Sequence, residues 1–423
     1  MKKIIKKLIP AFLVDWYHRF FPLLGALLYR FPSKKIKIIG VTGTNGKTTV
    51  VNLTTKILEE AGFKVAALSS IKFKIGKEEK INELRMTMPG RFILQRFLRQ
   101  AVGAGCQYVV LEVTSEGIKQ HRHNFIDFEA VVFTNLTPEH IEAHGSFEEY
   151  KKAKGKLFKI TKEIHVLNLD DENIKYFLQF SANKKYGYGL SSGSSYLAGS
   201  VEPKYKILAT KYEVDTNGIA FDVKDTKFKL KLLGAFNIYN SLAAICVGLS
   251  QGIDLETCKK ALAKTEGVPG RMEMVVSEPF KVFVDYAFTP NALEKVYQTL
   301  REHFSPEKLI CILGSSGGGR DKWKRPILGK LAAKYCNEII VTNEDPHDEG
   351  PMEIINQVAK GANEKAKKIL DRRKAIREAL KIAKPKDVVI ITGKGCEPSM
   401  WITGSKSIPW DDRGVVREEF AKL

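Results

Sequence analysis

Apolar residues follow two alternating patterns along the chain. One is a short continuous run, and the other is the spacing of a helix. A β-branched run over residues 36–41 predicts a buried strand, and the helical spacing that follows predicts a helix over 47–60, closed by Gly62 as its C-cap. The same alternation predicts strands over Phe63–Leu68, Tyr108–Val113 and Ala130–Asn135 and a helix over Arg91–Gly103. Strands that alternate with helices indicate an α/β fold with a parallel sheet.

The pattern of apolar and polar residues changes between residues 186 and 233. Polar and apolar residues alternate there around an Asn217-Gly218 turn, which predicts a hairpin appended to the first α/β unit. A helix is predicted over Asn237–Leu249, and the glycines and proline of 267–270 indicate a linker. A second α/β series follows, with strands predicted over Lys281–Tyr286, Leu309–Leu313, Glu338–Thr342 and Val388–Thr392.

A glycine-rich turn joins the first predicted strand to the first predicted helix. Backbone N–H groups of such a turn can surround a polyphosphate, Lys47 can reach the β- and γ-phosphates, and the Thr48 hydroxyl can bind Mg²⁺. The usual G-x-x-x-x-G-K-[ST] spacing requires glycine at position 41, where the chain has Val41, so this phosphate loop is a variant. The nucleoside triphosphate site is predicted to comprise Gly43, Thr44, Asn45, Gly46, Lys47, Thr48 and Thr49.

Composition narrows the class of protein. A chain of 423 residues, 44% of them apolar, predicts about two to three globular domains. The net charge of +20 favours anionic partners such as nucleotides, acidic metabolites or an anionic membrane. No stretch interleaves basic and aromatic residues regularly, so nucleic acid is not an expected partner. Six scattered cysteines without a CxxC pair indicate the reduced thiols of a cytoplasmic protein.

The first 30 residues are basic and apolar. Four early lysines precede an apolar stretch that Asp15, His18, Arg19 and Pro22 interrupt, which is too broken for a membrane-spanning helix. No small-residue cleavage site follows, so a secretory signal is not expected. Two interpretations stay open, a basic amphipathic segment on the inner membrane surface and a helical pair packed on the next domain.

Eight ordered motifs from about residue 36 to the C-terminus resemble the Mur ligase family. They are GVTGTNGKTT, EVTSEGIKQHR, TNLTPEHIEAHGSFEEYKKAKGKLF, LLGAFNIYNSLAA, GRME, VDYAFTPNAL, GSSGGGRDKWKRP and GKGCE. Their order is most similar to members that add diaminopimelate or lysine to UDP-N-acetylmuramoyl-L-alanyl-D-glutamate. The resemblance implies a P-loop ATPase domain with a parallel sheet over 36–267, a Rossmann-like α/β domain over 268–423, a short N-terminal segment over 1–35, and a monomer.

Amide synthesis from a carboxylate requires a leaving group, which transfer of the γ-phosphoryl group of ATP supplies as an acyl phosphate. Mg²⁺ and a lysine must then neutralise the charge that develops between two anions. Lys47 is the expected lysine, and Thr48 and Glu112 are expected to hold one Mg²⁺. The resemblance implies that His140 binds a second Mg²⁺ and that Lys154 is carbamylated and becomes a further metal ligand.

The resemblance also implies how the nucleotide is held. It places Asn237 and Asn240 near the adenine, Arg271 near the phosphates and Asp285 on the ribose. Both asparagines could instead cap the following helix. Since the nucleotide ligands come from both domains, 267–270 is expected to be a hinge for domain closure.

Two further groups of residues match substrate positions of the family. Thr87, Thr114, Ser115, Gln120 and Arg122 are expected to hold the muramoyl-peptide, and Glu344, Asp345, His347, Gly393 and Glu397 the amino acid. The family's diaminopimelate signature Asp-Asn-Pro-Arg is here Glu-Asp-Pro-His, so the arginine that would bind a distal carboxylate is missing. Phe288 and Cys396 also stand where the family has histidine. The identity of the added amino acid is therefore open.

The family usually begins with a UDP-binding domain of roughly a hundred residues, whereas about 35 residues precede this phosphate loop. A UDP-muramoyl peptide held by the two remaining domains is the favoured substrate, and a lipid-linked precursor at the membrane is the alternative. A folylpolyglutamate-type ligase would share the loop but not the EVTSEGIKQHR and VDYAFTPNAL motifs. A regulatory nucleotide-binding protein would not need Lys47, Glu112, His140 and Lys154 together.

Overall fold

A computed structural model describes residues 11–84, 86–190, 202–363, 365–402 and 406–423. Its helices are α1 (Ala11–Leu28), α2 (Lys47–Glu60), α3 (Arg91–Gly103), α4 (Ser115–Lys119), α5 (Ile141–His144), α6 (Phe147–Ile160), α7 (Ile174–Leu178), α8 (Phe236–Ser250), α9 (Leu255–Ala263), α10 (Pro290–Phe304), α11 (Lys324–Tyr335), α12 (Pro351–Lys360), α13 (Arg372–Ile382) and α14 (Asp412–Phe420).

The strands form two large sheets and a short hairpin. They are β1 (Lys37–Thr42), β2 (Val65–Leu68), β3 (Lys72–Ile75), β4 (Glu78–Ile81), β5 (Tyr108–Glu112), β6 (Phe128–Phe133), β7 (Ile164–Asn168), β8 (Lys184–Leu190), β9 (Tyr205–Asp215), β10 (Gly218–Val223), β11 (Thr226–Leu230), β12 (Glu273–Val276), β13 (Lys281–Asp285), β14 (Leu309–Leu313), β15 (Glu338–Thr342), β16 (Ala366–Ile369), β17 (Val388–Thr392), β18 (Ser399–Ile402) and β19 (Lys406–Pro409).

The first sheet has the order β11-β10-β9-β8-β7-β6-β1-β5-β2-β3-β4. Strands β9 to β2 in this order pair in parallel, whereas β10, β11, β3 and β4 add antiparallel pairs at the two edges. The sheet is therefore mixed rather than wholly parallel, and the predicted hairpin at Asn217-Gly218 extends one edge. Helices cover both faces, so Ile39 and Val41 of β1 pack in one apolar core while Ile38 packs in another.

The second sheet has the order β12-β13-β17-β14-β15-β16 and is parallel except for the β12–β13 pair. Two apolar cores lie on its opposite faces. Asp285 and Thr392 end adjacent strands β13 and β17, and Gly314 directly follows β14. Ligands of parallel sheets bind beyond these carboxyl ends, so the fold concentrates candidate site residues at one edge of the sheet.

Helix α1 packs against α3. Gly25 faces Arg91 and Gln95 of α3, and the rings of Phe21 and Phe92 lie 5.9 Å apart. The described part of the N-terminal segment holds one helix, which packs on the next unit, and a 3₁₀ turn over Pro32–Lys35; a second helix of the predicted pair would fall in residues 1–10, outside the described residues. Across the described ranges of the chain, no helix has the length and apolar character needed to cross a bilayer.

Candidate active site

One cavity of about 1070 Å³ opens between the carboxyl ends of the two sheets. The predicted site residues that line it are Gly43, Thr44, Asn45, Gly46, Lys47, Thr48, Thr49, Thr87, Glu112, Thr114, Ser115, Arg122, His140, Lys154, Asn237, Asn240, Arg271, Asp285, Glu344, Asp345, His347, Gly393 and Glu397. Gln120 is the exception among the predicted residues. The fold therefore brings together residues that are up to 354 positions apart in the sequence, from Gly43 to Glu397.

The phosphate loop connects β1 to the N-terminus of α2. Gly46 has a positive φ of 83°, and a Cβ atom there would collide with the side-chain oxygen of Asn240. Asn45 donates its backbone N–H to the Asn135 side-chain oxygen (2.9 Å), and its carbonyl accepts a bond from the Thr134 hydroxyl (2.7 Å). Contacts from the two residues that follow β6, and the close approach of Asn240 of α8, thus fix a loop whose helix N-terminus is suited to anions.

Lys47, Thr48 and Glu112 lie together beneath this loop. The Thr48 hydroxyl donates to Glu112 Oε2 (2.9 Å), and Glu112 Oε1 lies 4.0 Å from Lys47 Nζ. Lys47 donates to the carbonyl oxygens of Gly43 (3.2 Å) and Thr44 (2.8 Å). Burial lowers the pKa of Lys47, although the charge of Glu112 opposes the shift. A buried hydroxyl and carboxylate in contact offer the hard oxygen ligands that Mg²⁺ prefers.

Lys154 projects from α6 towards the phosphate loop and is 1% exposed. Its Nζ donates to the Gly43 carbonyl (2.8 Å) and lies 4.6 Å from the centre of the Tyr150 ring. Within the described residues, Lys154 forms no ion pair with a carboxylate. Burial, with the nearby charge of Lys47, lowers the pKa of Lys154 well below its usual value. This environment disfavours the ammonium form.

His140 has a positive φ of 57° and occupies the N-cap position of the short helix α5, where its side chain forms no capping hydrogen bond. Its Nδ1 lies 3.4 Å from Glu116 Oε1. Burial and the surrounding cations Arg320, Lys154 and Lys47 lower the pKa of His140 to about 2. The imidazole is therefore neutral at pH 7, which is the form that binds metals. The described residues contain no group of three or more His, Cys, Asp or Glu side chains that could hold a metal by themselves.

The predicted nucleotide residues of the second half also converge here. Asn237 lies inside α8, where its amide donates to the Leu233 carbonyl (2.8 Å), and Asn240 donates to the Asn237 side-chain oxygen (2.8 Å). The N-cap residue of α8 is Ala235, and no side chain caps this helix end by a hydrogen bond, so the capping interpretation of both asparagines is wrong. The guanidinium of Arg271 stacks 4.3 Å from the Tyr286 ring.

Asp285 is buried at the end of β13. Its two oxygens accept the backbone N–H groups of Met272 and Ala287, each at 2.6 Å. Burial raises the pKa of Asp285 while these hydrogen bonds oppose the shift. The carboxylate is fixed in orientation and retains further acceptor capacity for a hydroxyl group.

Another part of the cavity wall is formed by residues in and around α4 and by the segment before α3. Arg122 donates to the Met88 carbonyl and to the Gln120 side-chain oxygen (2.7 Å for the latter). Thr114 caps α4 by accepting the Gly117 N–H (3.1 Å), and Ser115 contacts His144 Nε2 (3.1 Å). Gln120 thus positions Arg122 from behind the cavity wall instead of lining the cavity.

An acidic pocket lies at the carboxyl ends of β15 and β17. Glu344 is buried, its Oε1 accepts the Ser316 hydroxyl (3.1 Å), and its Oε2 has no partner among the described residues. Burial raises the pKa of Glu344 to about 7. Lys394 pairs with Asp345 (2.8 Å) and with Glu397, while Glu397 also accepts the Tyr286 hydroxyl (2.7 Å). The pocket offers carboxylate oxygens to a cationic ligand.

His347 borders the same pocket and packs against Trp401, with ring centres 5.1 Å apart. Burial lowers the pKa of His347, with Arg320 and Lys394 contributing to the shift and the carboxylates Asp345 and Asp348 opposing it. The side chain that replaces the family's arginine is therefore an imidazole whose charged form is disfavoured. It lacks the two-pronged donor geometry with which a guanidinium binds a carboxylate.

Several residues of the site were not predicted from the sequence. They are Ser70, which contacts Thr48 and Glu112, Lys394 and Trp401 of the acidic pocket, and the buried ion pair of Glu139 with Lys324. Lys394 lies in the motif GKGCE and Lys324 in the motif GSSGGGRDKWKRP. Their positions within family motifs were the sequence signal that could have identified them as site residues. Ser70 and Trp401 carry no local signal, since only the folded chain brings them to the cavity.

Comparison with known proteins gives matches over most of the chain. Residues 41–248 match the Mur ligase middle domain, and residues 270–395 match the Mur ligase glutamate ligase domain. A UDP-N-acetylmuramoyl-L-alanyl-D-glutamate–2,6-diaminopimelate ligase from Syntrophomonas wolfei is 38% identical over 94% of this chain and 80% of its own length. The protein of the same name from Aquifex aeolicus is 40% identical over 92% of this chain and 78% of its own length.

A solved structure with the same protein name superposes with a TM-score of 0.61 at 28% sequence identity. The superposition covers 94% of this chain and 82% of that structure. The two sheets described above thus have the arrangement seen in a protein of known architecture.

Proposed function

The chain belongs to the Mur ligase family, and from this premise we propose that it is an ATP-dependent amide ligase of peptidoglycan precursor synthesis. Its carboxylate substrate is UDP-N-acetylmuramoyl-L-alanyl-D-glutamate, and its second substrate is a diamino acid. Relatives of 38% and 40% identity carry the name of this activity. The products are the extended muramoyl-peptide, ADP and phosphate.

The observation that carries the proposal is that the phosphate loop and the acidic pocket open into the same cavity. Lys47 and Glu112 line this cavity, and so do Glu344 and Glu397. A regulatory nucleotide-binding protein needs only the first group. A ligase needs both, because it must hold a phosphoryl donor, a carboxylate and an amine within one solvent-restricted space.

The reaction has two steps. A carboxylate oxygen of the substrate attacks the γ-phosphorus of ATP, the bond to the bridging oxygen of ADP breaks, and an acyl phosphate forms. The unprotonated amine then attacks the acyl carbon, phosphate leaves, and the amine loses a proton. In the first step Lys47 and the N–H groups of the phosphate loop stabilise the phosphoryl oxygens, since positive charge must be present before two anions approach each other.

The donor set fits Mg²⁺. Thr48 and Glu112 would hold one ion together with phosphate oxygens, and His140 and Lys154 as a carbamate would hold another; when bound, Mg²⁺ supplies charge neutralisation. The described residues hold no group of three or more His, Cys, Asp or Glu side chains suited to a metal, and Mg²⁺ is often held by one or two protein ligands with substrate phosphates.

Carbamylation of Lys154 is supported by its surroundings. The lysine is buried without a carboxylate partner among the described residues, and its Nζ points to the loop where phosphates would bind. The neutral amine attacks carbon dioxide to form an N–C bond and releases one proton, which converts the amine into a carboxylate-like ligand. An unmodified ammonium at this position would compete with Mg²⁺ for the same space.

Nucleotide and substrates are proposed to divide the cavity between them. Asn237 and Asn240 would hold the adenine, Arg271 the phosphates and Asp285 the ribose. The muramoyl-peptide would occupy the end lined by Thr87, Thr114, Ser115 and Arg122, and the amino acid the pocket of Glu344, Asp345, His347, Gly393 and Glu397. Closure about 267–270 would bring the two units together, and Gly270 in this segment has a positive φ of 63°.

The enzyme is proposed to act as a cytoplasmic monomer, with residues 1–30 able to contact the inner face of the membrane. The test of the function is ligation followed by mass spectrometry, with ATP, Mg²⁺, bicarbonate, the UDP-muramoyl dipeptide, and a panel of diaminopimelate, lysine, ornithine and other amines. A mass gain equal to one amine minus water, with stoichiometric ADP, is expected. If neither ADP nor product forms with any amine of the panel, the UDP-muramoyl dipeptide is not the substrate.

A further inference from the structure

The outward face of α1 carries a continuous stripe of large apolar side chains. Trp16, Phe20, Leu24, Leu27 and Leu28 recur at helical spacing and are 58%, 39%, 39%, 54% and 65% exposed. The rings of Trp16 and Phe20 stack on the outside with centres 4.9 Å apart. Isolated exposed apolar residues are ordinary, but a contiguous stripe on one helix marks an interaction surface.

The opposite face of α1 is already used for packing. Ala26 is fully buried, Gly25 contacts α3, and Phe21 contacts Phe92. The stripe is therefore a different face of α1 from the one that packs on α3. It is a second apolar face of α1, which stays exposed while the other face packs on α3.

The charge around the stripe indicates the partner. From Trp16 to Lys37 the sequence contains the basic residues Arg19, Arg30, Lys34, Lys35 and Lys37 and no Asp or Glu. Arg19, Arg30, Lys34 and Lys35 are exposed. Asp15 precedes Trp16, and Lys37 pairs with Glu129 (3.8 Å), so the excess of positive charge comes from Arg19, Arg30, Lys34 and Lys35. An apolar stripe with tryptophan, followed by this basic excess, fits the boundary between headgroups and acyl chains of an anionic bilayer. Since α1 cannot span the bilayer, the contact would be peripheral.

We propose that the outward face of α1 docks the enzyme on the surface of an anionic phospholipid membrane. The helix would lie in the plane of the interface, with Trp16, Phe20, Leu24 and Leu27 inserted among the lipids. Arg19 and Arg30 and the lysines that follow the helix would contact the phosphate groups.

Membrane docking adds a location to the proposed function. It rests on that function only for the identity of the substrate in the cavity. The Arg91 side chain joins α1 to the cavity wall: it donates to the His18 carbonyl (3.4 Å) and to the Gln120 carbonyl (3.0 Å), and it stacks on Tyr17. Gln120 in turn holds Arg122 at the muramoyl-peptide end of the cavity. Docking would therefore place this end of the cavity close to the membrane surface.

The test is co-sedimentation of the full chain with vesicles, without nucleotide or substrate. Vesicles of phosphatidylglycerol and phosphatidylcholine are compared with vesicles of phosphatidylcholine alone, at low and high salt. Binding to the anionic vesicles that weakens with salt is expected. The double variant Leu24→Glu with Leu27→Glu should bind about tenfold more weakly or not at all. The control, Met352→Glu with Leu370→Glu, changes two apolar residues that are 41% and 47% exposed on the second α/β unit, and it should bind like the wild type.

Ligation in solution without vesicles, measured on the same preparations, separates this inference from the proposed function. The α1 variant should ligate like the wild type, which also shows that it is folded. Absence of binding to anionic vesicles, or equal binding by the α1 variant, would overturn the inference. A dimer that the α1 variant dissociates, without vesicle binding by the wild type, would also overturn it and would assign the stripe to a second copy of the chain.

Discussion

The Nζ atom of Lys324 lies 2.7 Å from Oε1 of Glu139, and both side chains are 4% exposed. Glu139 precedes His140 in the loop after β6, whereas Lys324 is the first residue of α11 beside the second sheet. The pair therefore joins the loop of a proposed metal ligand to the unit that carries the amine pocket. Burial raises the pKa of Glu139, and the charge of Lys324 opposes that shift.

Removing one charge of this pair should separate the two α/β units. Lys324→Met would leave the Glu139 carboxylate buried without its cation, a situation that costs about 3–5 kcal/mol in other proteins. The variant can avoid this cost if the two units move apart, because water then reaches the Glu139 carboxylate while both units stay folded. A larger radius of gyration in X-ray scattering and a lower kcat/KM are expected.

The control is Lys308→Met, which removes an exposed ion pair with Glu338 (3.1 Å) on the same sheet and should change neither quantity. The double variant Lys324→Met with Glu139→Gln should recover part of the compactness, because no buried charge remains. An unchanged radius of gyration in Lys324→Met would show that the pair does not hold the units together.

The phosphate loop should depend on the close approach of Gly46 to Asn240. Gly46→Ala and Gly62→Ala impose a similar backbone strain, at φ of 83° and 86°, of about 1 kcal/mol or somewhat more. A Cβ at Gly46 would collide with Asn240, whereas a Cβ at Gly62 has no neighbour within 4 Å. Both variants should lose some stability, but only Gly46→Ala should lose ATP binding in calorimetric titration. Equal ATP affinity in the two variants would contradict the assigned loop.

Glu344 should make folding stability fall as the pH rises towards 7. Its folded pKa of about 7 lies above the ordinary value of 4.5, so between these values the folded state binds more protons than the unfolded state. The stabilisation is present below pH 4.5 and is lost as the pH rises through 7, by on the order of 3 kcal/mol at most. Glu344→Gln should flatten this part of the curve of melting temperature against pH. A wild-type slope that persists in the variant would exclude Glu344 as its source.

Lys154 should be required in its modified form. Lys154→Ala removes the proposed ligand and should lower kcat by about a hundredfold or more, whereas Lys156→Ala, an exposed neighbour on α6, should be neutral. Acetate should restore part of the activity of Lys154→Ala by supplying the missing carboxylate. A carbamate signal from ¹³C-bicarbonate should appear in nuclear magnetic resonance spectra of the wild type and vanish in the variant. Full activity of Lys154→Ala would refute the carbamate.

Local patterns were sufficient to predict much of the fold. The helix over Arg91–Gly103 and the strands over Leu309–Leu313, Glu338–Thr342 and Val388–Thr392 have the predicted bounds. Residues at strand ends were harder to assign. The strand predicted to reach Asn135 ends at Phe133, because Thr134 and Asn135 bond to the phosphate loop instead of continuing the ladder.

Features that depend on distant contacts were not predicted. The hairpin β3–β4 was missed because Glu78–Ile81 is exposed and charged and lacks an apolar alternation. Glu139 and Lys324 are 185 positions apart, and neither sequence context indicates its partner. Packing of the N-terminal segment on the next domain was one of two open interpretations, but its partner α3 was not predicted, because helical periodicity does not specify the fit between two helices.

The most direct test of the proposed chemistry follows one oxygen atom. The glutamate carboxylate of the UDP-muramoyl dipeptide is labelled with ¹⁸O, and the phosphate released during ligation is analysed by mass spectrometry. An acyl phosphate that forms in the cavity between Lys47 and Glu344 must pass one ¹⁸O atom to phosphate as the amine displaces it. One ¹⁸O per phosphate, in step with amide formation, is the expected result. Unlabelled phosphate, or ATP hydrolysis without amide product, would contradict the mechanism.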